Sequence, residues 1–319
     1  MALRSILTAI GTLAALSGAA APVSAAPETM VYTGAACNGR EKLPRFESVI
    51  GRPVEGYVEF LSYGTWPEFS SSLGYSLSCW RDTPYRLVLS IPMLAVGGDM
   101  KKAAQGEYDQ YYQGVADQLV KAGQSKAYLR IGWEFNGNWY IWKASKDPEA
   151  WIATFRRIAK IFKSTPGSDF QIVWNPNHGR QAIAPDKVWP GDDVVDVIGT
   201  DLYNRSYSAS DTTPALRWKR QLTEPNGLNW LVKFATAHNK PIALPEWGTG
   251  TAKDGSGQPD DPDFIRNVAA WIAANNVVFQ AYWDYPAPDY RGLISTGAQP
   301  NALAAFKEVF GTPPSAAGQ

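Results

Sequence analysis

Residues 128–142 read YLRIGWEFNGNWYIW, and this stretch decides how the rest of the chain is understood. Its first half alternates as a strand does. Tyr128, Arg130, Gly132 and Glu134 share one parity, and Leu129, Ile131, Trp133 and Phe135 share the other. Successive strand residues point to opposite faces, so one face is apolar and suits packing against helices. The other face carries a cation and ends in a carboxylate. Beyond Glu134 the chain turns through Asn136, Gly137 and Asn138 and then presents Trp139, Tyr140 and Trp142.

Outward from this stretch, short apolar strands recur between helix-like segments. The expected strands are 30–34, 54–62, 86–94, 127–134, 170–175, 194–201, 241–246 and 277–284. Helical signals lie between them: 43–50, 66–83 with a break at glycine, 107–122 with Tyr108, Tyr111, Val115, Leu119 and Val120 near helical spacing, and 301–310 at the end. Asp147-Pro148-Glu149 is a cap followed by proline in the first turn, and it opens a helix with Trp151, Phe155, Ile158 and Phe162 on one stripe. Residues 216–238 are helical with an interruption near Pro225, and 263–275 form a further helix. Eight nearly continuous apolar strands alternating with helices predict a parallel sheet. Eight is the closure number of a (β/α)8 TIM barrel, with an open doubly wound sheet as the alternative. The polar strand ends favour the barrel, because Glu134, Asn175, Asp201, Glu246 and Asp284 would ring one mouth.

The chain has 319 residues, with 30 basic and 30 acidic side chains. This balance gives no electrostatic case for nucleic acid or an anionic membrane. Residues 1–25 read as a secretory signal: Arg4, an apolar run from Ile6 to Leu16, and a small-residue cleavage site at Val23-Ser24-Ala25. No later segment is apolar for long enough to span a bilayer. One barrel domain is expected over 26–310, followed by a disordered tail over 311–319. The expectation is a secreted or periplasmic monomer. In that compartment the two cysteines, Cys37 and Cys79, pair by default. Two cysteines and two histidines make no convincing zinc site, no G-x-S-x-G elbow occurs, and no cofactor or metal is expected. The acidic run Asp260, Asp261 and Asp263 reads as a helix cap in preference to a calcium site.

Aromatic residues make up 13% of the chain, including 13 Trp and 15 Tyr. Such rings fill a core or stack on the apolar faces of sugars. Two glutamates at strand ends match the needs of glycoside cleavage, which takes one proton donor and one nucleophile or base. Arg130 lies on the face of Glu134 one layer deeper. Tyr203 has the inward parity of strand six and is placed to donate a hydrogen bond to a carboxylate. Asn175, Asn177 and His178 follow strand five and suit sugar hydroxyls.

The pieces RIGWEFNGNWYIW (130–142), AWIATFRRIAKIF (150–162), FQIVWNPN (170–177), VVDVIGTDLY (194–203) and KPIALPEWG (240–248) resemble glycoside hydrolase family 26. That family includes β-mannanases and belongs to a clan of retaining barrels. The resemblance spans roughly residues 30–310. It implies Glu134 as general acid/base and Glu246 as nucleophile, with Arg130 and Tyr203 supporting the nucleophile and Trp283 as a floor for the sugar. Asn138, Trp139, Trp142, Asn175, Asp201 and Trp247 complete the expected substrate-binding set. At one position the chain departs from the family, whose usual residue before the acid/base is histidine; here it is Trp133. The departure bears on the sugar site beside the bond. The expected partner is a polysaccharide or oligosaccharide, β-mannan first. Mixed-linkage β-glucan, xylan and a bacterial exopolysaccharide are the alternatives, and a non-catalytic polysaccharide-binding barrel is the alternative of another class.

Overall fold

A computed structural model describes residues 26–311. The expected signal segment lies outside these residues, as does the expected tail beyond Gly311, which itself is buried at the end of a helical turn. Eight parallel strands close into a barrel. They are β1 (Glu28–Tyr32), β2 (Gly56–Phe60), β3 (Arg86–Ile91), β4 (Tyr128–Ile131), β5 (Gln171–Trp174), β6 (Val197–Tyr203), β7 (Ile242–Gly248) and, as the eighth barrel strand, β9 (Val277–Trp283). The short β8 (Thr251–Ala252) and β10 (Tyr290–Arg291) pair antiparallel above the mouth. The closed (β/α)8 barrel is the architecture the strand pattern predicted.

Alternation sorts the side chains into two layers. Met30, Val58, Val88, Val173, Val197, Ala243 and Phe279 fill the barrel interior. Leu87, Leu89, Leu129, Ile131, Ile172, Ile198 and Leu244 face outward against the helices. The helices bury their stripes on that outer layer. In α5 (Pro148–Ser164), Asp147 accepts from the Ala150 N–H, Pro148 sits in the first turn, and Trp151, Phe155, Ile158 and Phe162 are buried as their spacing predicts. At the lower end the guanidinium of Arg86 lies 3.8 Å from the centre of the Tyr128 ring and pairs with Glu28 at 2.9 Å. The barrel is therefore plugged below and open above.

Several boundaries differ from expectation, each for a local reason. The first helix, α1 (Ala36–Ile50), starts earlier than 43, and Pro44 is accommodated on its exposed side. No break occurs in α2 (Trp66–Cys79), which runs through Gly74. The helix expected over 107–122 is α4 (Asp109–Lys121), burying Tyr112, Val115, Ala116 and Leu119, and a short unexpected helix, α3 (Met100–Gln105), precedes it and ends at Gly106 with φ +96°. The sixth strand starts at Val197, because the Asp196 side chain accepts from the Ile172 N–H and from Lys163 ahead of it. The expected interruption near Pro225 separates α6 (Pro214–Thr223) from α7 (Leu228–Ala237). Then α8 (Pro262–Ala274) is capped by Asp261, and α9 (Pro300–Phe306) closes the fold. No helix among the described residues is long and apolar enough to cross a membrane.

Cys37, in the first turn of α1, is disulfide-bonded to Cys79 at the end of α2, across 42 positions of sequence. A closed loop of this size removes chain entropy from the unfolded state. Replacing both cysteines with serine is expected to cost roughly 4 kcal/mol on that account. Chemical denaturation of the variant beside the parent checks this.

Candidate active site

Glu134 is aimed by a turn rather than by strand alternation. Strand β4 stops at Ile131, and the chain then passes through two left-handed residues, Gly132 (φ +56°) and Glu134 (φ +52°). Glycine is required at the first, since a Cβ there would lie 2.4 Å from the Met93 sulfur. A left-handed glutamate is uncommon and costs free energy. Here neighbouring backbone holds it. Its N–H donates to the Asn175 carbonyl at 2.8 Å, and its own carbonyl accepts from Gly137 at 3.0 Å. The shared parity of Arg130 and Glu134 thus leads to the same mouth by another route.

Glu246 reaches the interior through a bulge. Between Gly199–Ala243 and Asp201–Glu246, β7 advances one residue more than β6. Simple alternation from the inward Ala243 would point residue 246 outward. The extra residue restores Glu246 to the inside. Pro245 occupies the irregular step, where a missing N–H is tolerated.

Both glutamates line an open cavity of about 900 Å³ at the C-terminal mouth of the barrel. Beneath them lies Arg130, fully buried. Its Nη1 donates to Glu246 Oε1 at 2.9 Å and to Ser90 Oγ, and its Nη2 donates to both oxygens of Asp201, at 2.8 and 3.0 Å. The second oxygen of Glu246 accepts from the Tyr203 hydroxyl at 2.8 Å. Burial first, then the charge of Glu246, holds the Tyr203 phenol well above its ordinary pKa, so it stays a donor. Asn175 donates to Asp201 at 3.1 Å.

Glu134 is surrounded differently. Trp139 Nε1 donates to its Oε2 at 2.9 Å, and the Asn177 amide donates to its Oε1. Asn136 grips the Asn177 backbone at both its N–H and its carbonyl, and Gln181 donates to the Asn177 amide oxygen, which turns the amide nitrogen toward Glu134. Burial above all, then the negative charge of Glu246, pushes the Glu134 carboxyl up to about 7 despite those two donors.

The expected site residues divide by placement. Glu134, Trp139, Asp201, Tyr203, Glu246 and Trp283 line the cavity. Arg130 and Asn175 lie fully buried beneath it, bonded to carboxylates and shielded from any ligand. Trp142 and Trp247 do not face the cavity. Trp142 is fully buried against Tyr140, with its N–H on the Trp133 carbonyl. Trp247 follows the bulge on the outward parity and packs against Tyr282 and Phe306. Asn138 is exposed on the loop and does not line the cavity. Asp284 is buried and bonded to Ser295, also away from the cavity. Lining residues without a sequence signal include Tyr32, stacked 4.4 Å from Trp283 on the next strand, and Phe60, edge-on to Trp133. Trp133, in place of histidine, has its N–H occupied by the Tyr140 hydroxyl.

A parallel eight-stranded barrel with two inequivalent carboxyls and aromatic walls at its C-terminal mouth has the form of a carbohydrate-active barrel. The sequence model of glycosyl hydrolase family 26 matches residues 101–245 of this chain, a stretch that contains Glu134 and stops one residue short of Glu246. The chain is 26% identical to endoglucanase H of Acetivibrio thermocellus over 282 residues, covering 83% of this chain and 28% of that protein. It is 25% identical to a beta-1,3-xylanase of an Alcaligenes species over 156 residues, 48% of this chain and 29% of that protein. The chain thus spans less than a third of the length of either curated relative. Among solved structures, a double mutant of the Cellulomonas fimi endo-beta-1,4-mannanase superposes with a TM-score of 0.64 at 16% identity, covering 91% of this chain and 71% of that one. A beta-mannanase from Bacteroides ovatus gives 0.57 at 17% identity, covering 89% and 88%. At these identities the likeness is one of fold.

The raised Glu134 carboxyl has a consequence for stability. Its ordinary value is 4.5, so between pH 4.5 and about 7 the unfolded chain gives up this proton while the folded chain keeps it. The group therefore supports folding fully at low pH, and that support is lost as pH rises through about 7. Glu134→Gln removes the effect. The variant is expected to gain on the parent by about 1–3 kcal/mol between pH 5 and pH 8. Denaturant titrations at both pH values measure that gain.

Proposed function

We propose that the chain is a retaining, endo-acting glycoside hydrolase that cleaves β-linked polysaccharide by double displacement. One observation carries this reading: two carboxyls share one cavity in opposed environments. Glu246 accepts hydrogen bonds from the buried Arg130 guanidinium and from the Tyr203 hydroxyl. Glu134 is held protonated up to about pH 7. In the first step a Glu246 oxygen attacks the anomeric carbon. The glycosidic C–O bond breaks, and the leaving oxygen takes the proton of Glu134. In the second step the Glu134 carboxylate takes a proton from water, the water oxygen attacks the same carbon, and the ester to Glu246 breaks. Two inversions give net retention. The stacked Tyr32–Trp283 pair offers an apolar floor to a sugar ring.

β-Mannan is the first polymer to test. Curated relatives named for glucan and xylan cleavage put those polymers on the same panel. We also infer export, supported by the Cys37–Cys79 disulfide, since such bonds persist in oxidising compartments.

Reducing-end release is measured on mannan, glucomannan, mixed-linkage glucan, xylan and bacterial exopolysaccharides. Glu134→Gln and Glu246→Gln are run beside the parent. Hydrolysis of one polymer by the parent is expected to fall by roughly three orders of magnitude or more in Glu246→Gln. Full activity in that variant, or no hydrolysis by the parent on any polymer, overturns the reading. The kcat/KM profile of the parent is expected to fall on the alkaline side near pH 7, as Glu134 loses its proton. An alkaline limb that persists unchanged in Glu134→Gln would assign it to another group.

A further inference from the structure

The cavity has two unlike walls. On the side of β1, β2, β4 and β9 it is lined by Tyr32, Phe60, Trp133, Tyr140, Trp283 and Tyr285, none of them charged at neutral pH. The side formed by the loops after β5 and β6, with α6, carries every basic side chain of the lining: His178, Arg180, Arg205 and Arg220.

Two of these side chains are already occupied. Arg220 contacts Asp211 at 2.8 Å and Glu224 at 2.9 Å, and the same Glu224 lies 3.1 Å from His178. The other two are not. Arg180 is exposed on the rim and makes no ion pair among the described residues. Arg205 meets only Asp254, at 3.5 Å, and that carboxylate is 57% exposed, so water and salt screen the pair. The Arg205 guanidinium instead lies 5.3 Å from the centre of the Tyr290 ring. The remaining carboxylate on this rim, Asp289, makes no ion pair among the described residues either.

Position ties both arginines to the reacting centre. Asp201, Tyr203 and Arg205 rise up one wall on alternate residues, and Tyr203 bonds Glu246. Arg205 thus stands two residues, roughly 7 Å, beyond the residue that touches the nucleophile. Arg180 follows three positions after Asn177, which bonds Glu134. A planar, permanently charged fork suits a carboxylate geometrically.

Resting on the glycoside hydrolase reading above, we propose that the substrate glycan carries a carboxylate, and that Arg180 and Arg205 bind it on the sugar next to the cleavage point. The aromatic wall takes the apolar sugar faces and the cationic wall takes the acid group. A uronic acid branch and a pyruvate ketal share this chemistry.

The test is calorimetric titration of the Glu246→Gln protein, which retains both arginines. The ligands are glucuronate-substituted xylo-oligosaccharides, pyruvate-ketal-bearing exopolysaccharide fragments, and the carboxyl-reduced form of each. One acidic ligand is expected to bind about tenfold or more tightly than its reduced form. That ratio is expected to shrink in the combined Arg180→Gln, Arg205→Gln protein and in high salt. The ligand that shows the ratio identifies the acid group. Equal binding of acidic and reduced forms overturns the proposal, as does a ratio that survives loss of both arginines in a protein that still unfolds cooperatively. The two readings fail separately. Carboxylate-dependent binding without hydrolysis of any polymer sinks the enzyme reading alone. Hydrolysis of a neutral polymer with no carboxylate-dependent binding sinks this proposal alone.

Discussion

One buried cation organises the mouth of this barrel. Arg130 is completely enclosed and donates to Asp201 and Glu246 together. A guanidinium without partners is very costly at such depth, and two carboxylates without a cation are costly as well. Each makes the burial of the other tolerable. Burial pushes the Asp201 carboxyl well above the usual carboxylate range, and the Arg130 charge beside it pulls the other way. Glu134 is buried as well, and ionising it would set its charge beside that of Glu246, so that carboxyl holds its proton to about pH 7. A division of labour between two glutamates follows from where the arginine sits. Arg130 reaches Glu246 and Asp201 directly and Glu134 only at longer range.

The barrel supplies the precision that this arrangement needs. Arg130 comes from β4, Asp201 and Tyr203 from β6, and Glu246 from β7, so hydrogen-bonded strands fix their relative heights. Two irregularities then adjust direction. The left-handed turn through Gly132 swings Glu134 over the mouth, and the bulge at Pro245 turns Glu246 inward. Strain and bulges of this kind collect where a regular ladder would aim a side chain wrongly. The loop contacts around Glu134 answer the same demand. Asn136 and Gln181 fix the Asn177 amide, and Trp139 places its N–H on the other oxygen.

The unlike walls of the cavity follow from different parts of the chain. Tyr32, Phe60 and Trp283 belong to strands; Tyr32 stacks on Trp283, and Phe60 meets both rings edge-on inside the barrel. Arg180 and Arg205 lie on loops, where a charged head keeps its water until a ligand replaces it. Substrate choice therefore has two separable sources in this protein. One is a rigid aromatic face built with the fold, and the other is a set of loop cations added to its rim.

The sequence by itself determined the number of strands, their parallel arrangement, the capped helix over 148–164 and the gathering of Glu134, Asp201 and Glu246 at strand ends. These features depend on period, on turn residues and on apolar content, all of which are local. Parity also put Tyr203 on the cavity side, and the family resemblance did the same for Trp283. Parity gave no warning at Pro245, where an extra residue reverses it. For that reason Trp247, the neighbour of an inward carboxylate, and Trp142, on a turn with no period, were both assigned to the cavity although they are core. Only the tertiary structure decided that Arg130 bridges Asp201 to Glu246, that Asn175 serves Asp201 rather than a ligand, and that Tyr32 and Phe60 complete the aromatic wall. Each of these contacts joins strands far apart in sequence. Their register around the closed barrel is set by packing and hydrogen bonding, and no local pattern records it.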